Sequence, residues 1–74
     1  MITLRLTVTT APSTHALTRL LLLVRGRGGN VLDLHWRDGV ATLLLDLEKS
    51  RQPHLEAAIA RIVDVTSVAV CAQD

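Results

Sequence analysis

Aromatic residues are almost absent from this chain. Trp36 stands alone, without a phenylalanine or tyrosine, so aliphatic side chains must build the core. A single-stranded nucleic-acid binder that stacks bases on strand aromatics is thereby excluded. Charge of one sign is lacking as well: eight basic residues face seven acidic ones, for a formal net charge of +1, too little to steer a polyanion. One cysteine, Cys71, leaves no internal disulfide and no multi-cysteine metal site, which points to a reducing, cytoplasmic setting. No charged-then-apolar leader opens the chain, and its longest uninterrupted apolar run, Leu20 to Val24, is too short to span a bilayer.

What is present is a strongly patterned aliphatic chain of 74 residues, 49% hydrophobic. That length makes one domain, residues 1 to 74, with a marginal core that association would strengthen. Ile2 to Val8 alternates, with Ile2, Leu4, Leu6 and Val8 on one side, and predicts a strand with one buried face. The Thr/Ala/Pro/Ser cluster that follows reads as a loop delivering Ser13 or Thr14 to a helix N-cap. A helix from about Thr14 to Arg25 carries Leu20, Leu21 and Val24 within about 60° of Leu17. Leu22 and Leu23 fall outside this stripe and need another cover, which a partner surface would supply.

Gly26, Gly28 and Gly29 stop that helix. A phosphate-cradling glycine loop precedes a helix, whereas this one follows it, so nucleotide binding is not expected. Asn30 to Arg37 alternates again, with Leu32, Leu34 and Trp36 expected inward and Val31, Asp33, His35 and Arg37 outward. Asp38-Gly39 is a strong hairpin signal, followed by a strand from Val40 to about Glu48 with Ala41, Leu43, Leu45 and Leu47 inward. Ser50 is the expected cap of a second helix with Pro53 in its first turn and Leu55, Ala58, Ile59 and Ile62 on one face. Val65 to Cys71 makes a last strand, with Val68 and Val70 in the core.

The order is βαββαβ. Two right-handed crossovers joined by a hairpin predict an α+β, ferredoxin-like sandwich, a four-stranded antiparallel sheet with both helices on one face. The other face, with Arg5, Val31, Asp33, His35 and Arg37 among its residues, becomes a candidate docking surface for a second protein. His15, His35 and His54 have no metal-ligand spacing, and Cys71 has no base placed near it by sequence, so neither a metal site nor independent catalysis is expected.

Two short motifs add a resemblance. AL-x-R at Ala16, Leu17 and Arg19 opens the first helix, and RG-x-N-V at Arg27, Gly28, Asn30 and Val31 closes its loop. With βαββαβ, they resemble an ACT domain, the small-ligand regulatory module of amino-acid metabolism. Residues 16 to 31 and 63 to 71 are more closely similar to the small regulatory subunit of acetolactate synthase, in its short ACT-only form. The resemblance implies a non-catalytic homodimer that activates a large catalytic subunit in branched-chain amino acid biosynthesis. Thiamine diphosphate, FAD and magnesium would belong to that large subunit, and no cofactor to this chain. A stand-alone ACT-type module acting on another metabolic enzyme is the alternative.

The resemblance also implies an effector site for a branched-chain amino acid at a dimer interface. Its residues would be Pro12, Ser13, His15, Ala16 and Leu17 in the first loop and Gly28, Gly29 and Asn30 in the second. Pro12 stands where the family's first-loop asparagine would be, and His15 where its glycine would be. Asn30 and the amides near Gly28 and Gly29 are left to grip one end of a ligand. The expectation is a vestigial pocket with weak or absent valine binding, the competing view being that His15 retunes it for another metabolite.

Overall fold

The computed structural model describes residues 1–73, with side chains through residue 71. Its elements run β1 (Ile2–Thr10), α1 (Thr14–Gly26), β2 (Asn30–Arg37), β3 (Val40–Leu47), a short 3₁₀ turn (Lys49–Arg51), α2 (Gln52–Ala60) and β4 (Val65–Gln73). The four strands pair antiparallel in the order β2-β3-β1-β4, so the expected ferredoxin-like sandwich is the observed fold.

The central pair explains why the chain closes this way. Alternation along β1 and β3 points Leu4, Leu6, Val8, Ala41, Leu43, Leu45 and Leu47 toward the helices, and all seven are fully buried. Leu20 and Val24 of α1 and Leu55 and Ile59 of α2 complete the core from above. Burial of each leucine, isoleucine or valine among them is worth about 1.5–3 kcal/mol, and with Trp36 the sole aromatic these aliphatics supply most of the core.

Four local expectations are corrected. On β2 the alternation breaks: Val31 pairs with Leu45 and Asp33 with Leu44, which leaves Leu32 as an extra, bulged residue. Val31 therefore turns inward with Leu34 and Trp36, packing on the core instead of joining the open face, while Leu32 is 50% exposed. Leu23 finds its cover within the chain, half-buried against the core, because α1 abuts α2 as well as the sheet. Val70 faces the helix side but lies on an edge strand and is 39% exposed. Ser50 does not cap α2: the 3₁₀ turn occupies Lys49–Arg51, and Arg51 is the N-cap residue without a side-chain hydrogen bond.

Candidate functional site

The first loop is drawn tight by its own hydrogen bonds. Ser13 caps α1, its Oγ accepting from the Ala16 N–H at 3.2 Å. The Ala11 amide donates to the Asp64 carbonyl and the Ser13 amide to the Ala11 carbonyl, each at 2.8 Å. Pro12 has no amide to give. Pro12 and His15 are exposed, Ala16 is buried and Leu17 is half-buried on the core, so the helix entry presents the His15 imidazole together with the first-turn amides of Thr14 and His15, which find no acceptor among the described residues.

The second loop is more fully committed. α1 ends in a Schellman arrangement, with the Gly28 amide donating to the Arg25 carbonyl at 3.1 Å and the Gly29 amide to the Val24 carbonyl at 2.9 Å. Gly28 supplies the left-handed φ of 87° that this turn requires, and a Cβ on Gly29 would fall 2.7 Å from Val24 Cγ1. The two amides expected to grip a ligand are thus spent on the helix terminus. Asn30, exposed at the start of β2, keeps its side chain available.

Within one chain these loops do not meet. Helix α1 separates them, and its 13 residues span about 20 Å. The first loop sits beside the β2–β3 turn, where Gly39 accepts from the Thr10 amide at 2.7 Å. The second precedes the opposite end of β2. Antiparallel pairing of β2 with β2 of another copy reverses one strand against the other and brings the first loop of one chain next to the second loop of its partner.

The edge itself is uncovered. Between α1 and β2 runs a groove of about 400 Å³ lined by Thr18, Leu21, Leu22, Arg25, Val31 and Leu34. Leu22, 64% exposed, stands on its rim. On the open face of β2, Asp33, His35 and Arg37 follow one another at every second residue, all exposed. Arg5 and Leu44 pair in the middle of that face, and Thr3 Oγ1 donates to Asp46 Oδ1 at 2.6 Å beside them.

A second, polar depression forms where the α1–β2 loop meets the 3₁₀ turn. It has a volume of about 490 Å³ and is lined by Arg27, Glu48, Ser50, Arg51 and His54. Sequence reasoning missed it, because Arg27 is more than twenty residues from the others and no short motif joins them.

Elsewhere, polar chemistry is sparse. His15 lies in the first turn of α1, His35 on the open sheet face and His54 in the first turn of α2. Among the described residues no three of His, Cys, Asp and Glu gather around a point that would hold a metal ion. The exposed Cys71 Sγ lies 3.0 Å from Thr7 Oγ1. Among the described residues no helix is long and apolar enough to cross a membrane.

Comparison of the sequence finds no matching family model and no matching curated protein. Solved structures do match the fold. The ACT domain from the GTP pyrophosphokinase of Chlorobium tepidum superposes with a TM-score of 0.72 at 12% identity, over 92% of this chain and 95% of that one. Acylphosphatase from Bacillus subtilis superposes with a TM-score of 0.75 at 14% identity, over 100% of this chain and 86% of that one. One fold, in these two proteins, serves a domain of a larger enzyme and an enzyme in its own right, so function has to be argued from the residues.

Proposed function

We propose that this chain is a non-catalytic, ACT-type regulatory module that works as a two-fold dimer joined through β2 and α1. The observation that carries this reading is the uncovered β2–α1 edge: an apolar groove rimmed by Leu22, with both candidate effector loops at its ends. Charge along the strand favours a second copy as the occupant. In an antiparallel β2–β2 pair centred on Leu34, Asp33 lies opposite His35 of its partner, and in one centred on His35 it lies opposite Arg37, a complementary contact in either register.

The finer proposal, resting on the AL-x-R and RG-x-N-V motifs, is that the dimer activates the large subunit of acetolactate synthase. Thiamine diphosphate, FAD and magnesium would be held by that subunit. Each composite effector site would combine Pro12, Ser13, His15, Ala16 and Leu17 of one copy with Gly28, Gly29 and Asn30 of the other. With the amides of Ala11, Ser13, Gly28 and Gly29 already donating, such a site keeps the first-turn amides of Thr14 and His15 and the Asn30 side chain to replace the hydration of a zwitterion, fewer groups than its two charged ends require. A missing hydrogen bond to a charged group costs about 1.5–3 kcal/mol, roughly 10- to 150-fold in affinity. Valine binding is therefore weak or absent.

Tagged chain expressed in its own host tests the assignment. It is expected to bring down a large thiamine-dependent synthase and, when added back, to raise acetolactate formation. Recovery of a different metabolic enzyme would replace acetolactate synthase by the stand-alone reading.

A further inference from the structure

We propose that the polar depression between the α1–β2 loop and the start of α2 binds a compact oxyanion, the phosphate group of inorganic phosphate or of a small phosphomonoester. The site is assembled within one chain, so it does not depend on the pairing of two copies or on any catalytic partner.

Its construction begins with Arg51. The guanidinium is laid across the second loop, its Nη1 donating to the Arg27 carbonyl at 3.4 Å, and a Cβ on Gly28 would stand 3.2 Å from both Cδ and Nη1 of Arg51. Gly28 thus serves two ends, the left-handed turn and the space that Arg51 fills. The loop in turn places Arg27 on the same depression, beside Ser50 and His54. Two planar guanidinium forks, a hydroxyl and an imidazole converge on a space of about 490 Å³, inside the roughly 300–1,000 Å³ typical of small-molecule clefts.

Neither arginine of the depression is tightly neutralised, in contrast to Arg19. Arg19 is held by Asp64 at 3.0 Å. Arg27 makes no ion pair among the described residues, and Arg51 reaches Glu48 only at 3.9 Å, with both side chains largely in solvent. Among the described residues Glu48 is the only carboxylate lining the depression, and the first turn of α2 contains no acidic residue to compete for an anion. One guanidinium resting on the loop backbone and a second arginine on the same depression, with one loosely engaged carboxylate beside them, suit a doubly charged tetrahedral anion better than an amino-acid zwitterion, whose ammonium group would meet the arginines.

The test is a titration of amide resonances at low, constant ionic strength with sodium phosphate and, separately, with glycerol 3-phosphate. Saturable shifts are expected at Arg27, Gly28, Ser50, Arg51 and His54. Arg51→Gln and Arg27→Gln, both at exposed positions, are each expected to weaken binding about tenfold or more, while Arg61→Gln at the far end of α2 leaves it unchanged. Tighter binding of the ester assigns the site to a phosphorylated metabolite, and equal binding to free phosphate. The proposal is overturned if neither probe saturates by about 10 mM, or if the Arg27 and Arg51 variants bind as well as the wild type.

Discussion

The Thr10 amide donates to the Gly39 carbonyl at 2.7 Å, and the two residues approach so closely that a Cβ on Gly39 would fall 2.6 Å from the Thr10 carbonyl oxygen. This contact ties the β2–β3 turn to the end of β1 and so positions the first loop at the end of the open edge. Asp38 and Gly39 both hold left-handed angles, φ 49° and 81°, as the type I′ turn requires. Gly39→Ala then meets both strain and collision with backbone. It is expected to lower stability by about 2 kcal/mol or more, read as a reduced denaturation midpoint. Unchanged stability would mean that the turn relaxes freely.

The Ser13 cap is the anchor of α1. Ser13→Ala is expected to cost about 1 kcal/mol in a urea titration, whereas Ser13→Asp, which retains an acceptor at the positive end of the helix dipole, should cost little. Equal losses in the two variants would show that the hydroxyl does not cap the helix in solution.

Leu20 and Leu22 separate folding from association. Leu20 is fully buried, and Leu20→Ala should cost about 3 kcal/mol or more of stability. Leu22 stands in solvent on the groove rim, and Leu22→Glu should leave the thermal midpoint of the isolated fold nearly unchanged while weakening self-association. A large loss of folding stability in Leu22→Glu would mean that Leu22 belongs to the core.

Effector binding is tested by restoring what the first loop lacks. Calorimetry of the wild-type chain with valine, leucine and isoleucine at millimolar concentration is expected to give no saturable heat. The double variant Pro12→Asn, His15→Gly supplies an amide side chain and room for close backbone approach, and should bind at least one of them more tightly, by roughly tenfold. Tight binding by the wild type, lost in His15→Ala, would instead identify a pocket retuned around that imidazole.

Much of the fold was legible because β1 alternates without a break, so that Leu4, Leu6 and Val8 declare their side by period alone, and Ala41, Leu43, Leu45 and Leu47 keep the same period through the Leu43-Leu44-Leu45 run. Asp38-Gly39 declared the hairpin in the same local way. The misreadings are places where a neighbour decides. The bulge at Leu32 inverts Val31 through a pairing with β3 that β2 does not encode by itself. Leu23 is covered only once α2 lies alongside α1, and Ser50 loses its capping role to a 3₁₀ turn. At the candidate site, the loops were legible as turns around Ser13 and Gly28. That the Gly28 and Gly29 amides are consumed, and that α1 holds the two loops about 20 Å apart, are three-dimensional facts.

Only a two-fold unit formed by β2 and α1 of two copies joins the two loops. Sedimentation of the wild-type chain and of Leu22→Glu at tens of micromolar, roughly where a modest interface holds, tests this directly. A wild-type dimer and a folded, monomeric Leu22→Glu are the predicted result; a wild-type monomer, or a dimer that Leu22→Glu leaves intact, would contradict it.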